Sequence, residues 1–471
     1  MLAAMSPTSP TPVNRDEAPV RGAPVREAAV RESPVCESPV RETPVRERGD
    51  ACPGALRLHG ADDGRLARLR LPGGLLTYRQ AEVLASAAER LGDGRLDITS
   101  RGNVQLRGLG ESCGAELAAL LHEAGLLPSE EHERVRNVIA SPLAGLDEQP
   151  RADVQLWARE LDALLCGSRA ATALSGRFLF ALDDGRGDVA GRGADVTLLA
   201  RPDGRASVRT GANRSGPLVA AADAPRAALL AAETFLTVAE AGGSGAWRVR
   251  ELPEAERYGL DAAVAARLAE AGIATEAEAG PQGVLVEAEP PPAGAVHSPD
   301  GTVAVSVYAP LGRLSVAQWR TLYATDVPGT ALRVTPWRGV IVPGLDPATA
   351  HDLLDRLRTA GLITDPGSRW HGVGACTGRP GCAKALSDVR ADAAASVSAG
   401  PAGGTGGLPV HWSGCARRCG HPGTTHVDVV AIGEGGYDIS VRGPAPMTAP
   451  QGARQRPGPL ADAVAAARNP R

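Results

Sequence analysis

The chain has 471 residues, of which 43% are hydrophobic and 22% charged, room for about three domains of roughly 150 residues with ordinary buried cores. Its 50 basic and 54 acidic side chains leave a net charge of −4, so no bulk cationic field exists to draw in nucleic acid or an anionic membrane. No apolar run approaches the roughly 20 residues of a membrane helix and the N-terminus lacks the apolar stretch of a secretory signal, so a cytosolic location is expected.

Residues 1–50 are low in complexity. From Ala18 to Arg48 a five-residue unit recurs (APVRG, APVRE, AAVRE, SPVCE, SPVRE, TPVRE). That period matches neither a strand nor a helix, and prolines break most units, so a disordered tail is expected. Cys36 stands where other units carry Arg and reads as drift within the repeat.

An internal duplication follows. Residues 71–84, LPGGLLTYRQAEVL, align without gaps with 309–322, APLGRLSVAQWRTL, and 99–109, TSRGNVQLRGL, align with 335–345, TPWRGVIVPGL. The first copy reads as strand Leu66–Leu71, helix Thr77–Leu91, strand Asp97–Arg107 and helix Ala115–Leu127, from the apolar periods of each segment. In the second copy Asp346-Pro347 supplies an N-cap and first-turn proline for a helix over Ala348–Ala360. Two such half-modules can pair as one ferredoxin-like unit. Between them lie mixed α/β residues with strand candidates Arg177–Leu182 and Asp195–Leu199, ending in the linker Glu289-Pro290-Pro291-Pro292.

The expected organisation is a tail (1–50), a first half-domain (51–128), an α/β domain (129–285), a linker (286–300), a second half-domain (301–366), a cysteine-bearing domain (367–443) and a flexible C-terminal tail (444–471). The fold class is α+β.

Of eight cysteines, Cys376, Cys382, Cys415 and Cys419 form two close pairs. In a cytosolic chain such clustering points to metal or cluster ligands rather than disulfides. Four thiolates in two loops suit a [4Fe-4S] cluster or a tetrahedral zinc, although the five-residue gap in the first pair is wider than structural zinc pairs usually show. Cys52, Cys113 and Cys166 read as small buried hydrophobes.

ACTGRPGCAKA (375–385) with SGCARRCGHP (413–422) resembles the paired cysteine motifs of the nitrite and sulfite reductase family. DITSRGNVQLRG (97–108), RNVIASPLAG (136–145) and GRFLFALDD (176–184) resemble its three anion-binding segments, and TPWRGVI the second copy of the first. The resemblance covers roughly residues 52–442. It implies a duplicated architecture of two ferredoxin-like half-domains and two α/β domains that hold cluster and substrate, with a [4Fe-4S] cluster on the four cysteines. A second iron centre, sirohaem or non-haem iron, is also implied.

Within the family, CPGALR, LDDGRGDVAG and LRVTPWRG are most similar to the branch that oxidises precorrin-3A with O2, hydroxylating C-20 and closing a γ-lactone. Electrons would then come from an external donor, either NADH through a separate reductase or a ferredoxin. A polycarboxylate macrocycle calls for fixed cations, and arginine stays protonated even in a partly dry cleft. Lys384 is the only lysine in the chain, so its other basic residues are arginines; composition bias accounts for most of them. On the family's motifs Arg101, Arg136 and Arg177 fall at substrate-binding positions, with Asn103 and Arg338 as weaker members. Leu179 stands where the sulfite reductases carry a second basic residue, which disfavours a small oxyanion as substrate.

His371, His411, His421 and His426 are the nitrogen-ligand candidates near the cysteines, though no 2-His-1-carboxylate spacing is identifiable. Gly108-x-Gly110-x3-Gly114 has the context of a dinucleotide loop, but the second copy keeps only Gly344 there, so a helix-entry turn is expected. The rival readings are a sirohaem-dependent sulfite or nitrite reductase and a non-catalytic tetrapyrrole- or zinc-binding protein.

Overall fold

The computed structural model describes residues 50, 52–147, 152–278, 290–325, 330–400, 407–433, 435–443 and 460–469. The five-residue repeat, Cys36 and the centre of the 398–407 stretch lie outside them.

The duplicated segments build two antiparallel five-stranded sheets that exchange a strand. In the first, His59–Ala61, Gly64–Leu69, Val104–Leu109 and Arg95–Ile98 are joined at the edge by Arg313–Ser315 of the second copy. In the second, Gly294–His297, Val303–Tyr308, Gly339–Leu345 and Ala331–Val334 are joined by Leu75–Thr77 of the first. The registers match, Leu314 opposite Leu96 and Leu76 opposite Leu332. Alternation sends Leu69, Val104 and Leu106 from one sheet and Val305, Val340 and Val342 from the other out of solvent, and a single core contains side chains of both copies.

The helices repeat the symmetry. Tyr78–Leu91 starts at a capping box of Thr77 and Gln80, and Val316–Thr321 at one of Ser315 and Gln318. Each glutamine then donates onward from Nε2 to a helix-end carbonyl, Gln80 to Ala124 at 3.1 Å and Gln318 to Ala360 at 2.8 Å. Trp319 is fully buried and donates from Nε1 to Ala81 O at 2.9 Å, pinning one copy to the other. Replacing Trp319 with Ala should cost about 3–5 kcal/mol and lower the urea midpoint of unfolding; a midpoint unchanged from wild type would contradict this shared core.

Four expectations are corrected. Residues 97–107 are two strands rather than one, because Gly102 takes a left-handed φ of +65° and Thr99 N–H bonds Asn103 O at 2.9 Å, reversing the chain. The second half-domain starts inside the expected linker, at strand Gly294–His297. The expected C-terminal tail contains the helix Leu460–Arg468. Gly108-x-Gly110 belongs to a strand irregularity: Gly108 and its counterpart Gly344 both have positive φ, +68° and +75°, where each sheet's register shifts.

Two further sheets flank this unit and share one order. Val138–Ala140, Phe180–Asp183 and Val196–Ala200 run parallel, followed by antiparallel Arg205–Thr210 and Leu218–Ala220. Val373–Ala375, Val410–Ser413 and His426–Gly433 also run parallel, followed by antiparallel Gly436–Arg442. No helix among the described residues is long and apolar enough to cross a membrane.

Candidate active site

The turns at Ser100–Arg101 and Pro336–Arg338, the loop at Gly191–Gly193 and the segment from Arg417 to Thr425 surround a cavity of about 1050 Å³. Its size suits a large organic ligand. Among the described residues eight arginines line it and no carboxylate does.

These cations are held in different ways. Arg248 pairs with buried Asp195, and Arg418 with buried Asp428 at 2.6 Å. Arg468, from the C-terminal helix, donates to Leu408 O and His371 O. Arg192 donates from one nitrogen to Ser100 O at 3.3 Å and Pro336 O at 3.2 Å, which are equivalent atoms of the two copies. It also lies 4.9 Å above the Trp337 ring. Arg101, Arg250 and Arg417 line the wall with no ion-pair partner among the described residues. Burial, then the positive charge of Arg248, lowers the Arg101 pKa to about 10, so it remains a cation at neutral pH. Ile139, Leu179 and Trp337 add an apolar stretch to the same wall.

Cys376 follows strand Val373–Ala375 and Cys415 lies just beyond the neighbouring parallel strand Val410–Ser413, so both pairs leave the carboxyl ends of adjacent strands. The Gly414 N–H bonds the Cys376 sulfur at 3.1 Å, and Leu386 N–H bonds Gly414 O at 2.8 Å, folding the two loops together. A Cβ on Gly414 would stand 2.8 Å from that of Ala385. Arg107 donates to Gly381 O at 2.7 Å, tying the Cys376–Cys382 loop to the first half-domain, while Arg390 bridges Cys376 O and Asp97. Burial raises the Cys376 thiol pKa, and Cys419 and Cys382 add to the shift, which reflects their proximity.

All four cysteines are free thiols. No three of their sulfurs lie within 4.8 Å of one another, whereas ligands of one tetrahedral zinc at about 2.3 Å would sit about 3.8 Å apart. The wider spread and the N–H donated to sulfur fit the donor set of a [4Fe-4S] cluster better. Cys419 and Gly420 also line the arginine cavity.

The histidines do not converge. His411 is buried with Nε2 against Cys419 O at 3.1 Å, and burial, then the Arg338 charge, lowers its pKa to about 3. The rings of His421 and His426 stack with centroids 5.8 Å apart. Their ligand atoms form no compact group of three, so they do not fit a mononuclear iron site as arranged.

Of the arginines singled out from sequence, Arg101 and Arg338 line the cavity and two others do not. Arg136 is locked in a two-point ion pair with Asp162 at 2.6 and 2.7 Å and donates to Leu126 O. Arg177 stands beside Glu251 at 3.8 Å and over the Trp247 ring. Asn103 accepts from Leu71 N–H and donates to Asn137 Oδ1, knitting buried loops. Sequence reading passed over Arg192, Arg248, Arg250, Arg417, Arg418 and Arg468. Only Arg417-Arg418 carried a visible signal, two adjacent cations between Cys415 and Cys419.

Where the cysteines stand in one α/β sheet, the other carries acids: Ser141 follows Ala140 as Cys376 follows Ala375, and Asp183 ends the next strand. Asp183, Asp184 and Asp188 have oxygens close enough to share a cation. However, Asp183 already accepts four backbone N–H bonds, from Gly185, Gly187, Val189 and Ala190, and Asp184 pairs with Arg186. The group reads as a loop clamp. Burial, then the charge of Asp183, raises the Asp188 pKa to about 7. The folded protein therefore keeps a proton that the unfolded chain releases near pH 4, and this stabilisation is lost as pH rises from about 4 to 7. Urea unfolding at pH 5 and 8 should show a smaller drop for Asp188→Asn than for wild type; equal drops would contradict the assignment.

The nitrite/sulfite reductase ferredoxin-like half domain matches twice, at residues 59–124 and 296–360. A precorrin-3B synthase from Sinorhizobium sp is 27% identical over 408 residues, 84% of each chain. A ferredoxin–nitrite reductase from Synechococcus elongatus is 38% identical over 127 residues, 26% of this chain and 25% of that protein. The structure of the Mycobacterium tuberculosis NirA protein superposes with a TM-score of 0.64 at 20% identity, covering 83% of this chain and 77% of the other, which establishes the shared fold.

Proposed function

From a chain that carries two nitrite/sulfite reductase ferredoxin-like half domains and is a homologue of precorrin-3B synthase, we propose that it oxidises precorrin-3A with O2, hydroxylating C-20 and closing a γ-lactone. The observation that carries this reading is the cavity with eight arginines, no carboxylate among its described lining residues, and Cys419 in its wall. A macrocycle fringed with carboxylates supplies the matching charge.

The chain's own residues divide the work. Arg101, Arg250 and Arg417, which have no acidic partner among the described residues, are the cations available to pair with substrate carboxylates, each as a forked donor. Arg248 and Arg418 are already held by acids and set the local field. Trp337, Ile139 and Leu179 take the apolar body of the ring and keep water from it. Leu179 in the wall removes a cation that a small oxyanion would use. Cys376, Cys382, Cys415 and Cys419 would hold a [4Fe-4S] cluster, which supplies single electrons when bound. The donor is external; the ferredoxin-dependent relatives favour a ferredoxin-like protein over NADH through a reductase.

The test is incubation with precorrin-3A, a reductant and isotope-labelled O2, followed by mass analysis. Label in a lactone product is the expected outcome. Absence of label, together with sirohaem absorption bands and turnover of sulfite or nitrite, would replace this reading with the reductase.

A further inference from the structure

Arg338 occupies a backbone position that its own duplicate assigns to glycine. Its φ is +62°, that of the equivalent Gly102 is +65°, and both close the same turn, Arg338 N–H to Thr335 O and Gly102 N–H to Thr99 O at 3.1 Å each. A left-handed backbone is unfavourable for a residue with a Cβ and persists where surrounding structure holds it, often at functional sites. The side chain explains the retention. It is threaded through a slot cleared by three glycines: an added Cβ would stand 2.4 Å from its Cδ at Gly312, 3.0 Å from one terminal nitrogen at Gly420, and 3.3 Å from the other at Gly374.

The slot ends between the two cysteine loops. Gly374 lies two residues before Cys376, Gly420 lies one after Cys419, and the guanidinium donates to Gly420 O at 2.9 Å. Arg338 has no ion-pair partner among the described residues, so its charge is not cancelled locally. Burial, then the cations of Arg192 and Arg390, lowers its pKa to about 10, leaving it charged at neutral pH.

We propose that Arg338 is a positioning residue for the cluster: it fixes the loop after Cys419 and places a permanent positive charge between the two ligand loops that favours electron uptake. This rests on the cluster reading above. The step is one-electron transfer, cluster reduced and external donor oxidised, with no bond made or broken. A fixed cation stabilises the reduced, more negative form, most strongly where water is scarce.

The experiment is a redox titration of the intact protein by electron paramagnetic resonance, on wild type, Arg338→Met, Arg338→Gly and Arg338→Lys, with iron and sulfide assayed in each. Arg338→Met and Arg338→Gly should lower the reduction equilibrium about tenfold, 59 mV for one electron, and Arg338→Lys should stay closer to wild type. Arg338→Gly keeps the backbone conformation that Gly102 adopts in the first copy, so it removes the charged side chain without straining the turn. An unmoved potential in Arg338→Met and Arg338→Gly with full iron content overturns the proposal, as does an equal fall in Arg338→Lys. Wild-type protein without iron and sulfide would overturn the cluster reading and this one with it.

Discussion

Replacing Cys415 with Ser is expected to remove the broad iron–sulfur absorbance near 400 nm (an approximate figure for such clusters) and abolish product formation. Cys415 leaves the carboxyl end of strand Val410–Ser413, beside the Gly414 whose N–H bonds the Cys376 sulfur. Removing one thiolate takes a ligand from a set whose loops are otherwise held by Arg107 at Gly381 and Arg390 at Cys376. The fold should survive, because the core of this domain is built by other side chains, including Val410, Trp412, Val427 and Val429. Circular dichroism should therefore match wild type while iron and sulfide fall to background. Full retention of both in Cys415→Ser would exclude that residue as a ligand.

The second expectation separates two arginines that look alike in sequence. Arg101→Ala should weaken precorrin-3A binding about 10- to 100-fold, since a hydrogen bond to a charged group contributes roughly 1.5–3 kcal/mol, and should leave unfolding nearly unchanged. Arg136→Ala should do the reverse. It strands Asp162, whose carboxylate takes both bonds of a mostly buried pair, at a cost of about 3–5 kcal/mol of stability. Urea unfolding and substrate titration on the same preparations would distinguish them; a binding defect confined to Arg136→Ala would reverse the assignment.

Why one was legible and the other misleading is a matter of distance along the chain. The duplication could be read because Pro72 and Pro310, Gly74 and Gly312, and Leu76 and Leu314 recur in step, and each marks a local backbone requirement that survives in both copies. The two cysteine-bearing loops, which fold together in the structure, stand out in the sequence for the same local reason. Arg136 sits in a recognisable motif, but its partner Asp162 is on helix Val154–Gly167, which no local pattern links to it. Arg248 and Arg250 reach the cavity only through tertiary packing and carry no motif. The terminal helix Leu460–Arg468 was more accessible: LADAVAAAR is rich in good helix formers.

The strand exchange between the half-domains also constrains how the chain is made. Sheet one lacks its edge strand until Arg313–Ser315 has been synthesised, more than 200 residues after Val104–Leu109, roughly 10–40 seconds later at ordinary elongation rates of about 5–20 residues per second. Until then Arg95–Ile98 presents an open edge on the ribosome, the kind of edge that recruits wrong partners. Pairings this remote in sequence form slowly. A ribosome-bound chain ending before Arg313 should thus stay protease-sensitive over residues 59–109, and one extending well past Leu345 should become resistant. Maturation of this protein is in that sense a single late event, set by the arrival of its second half.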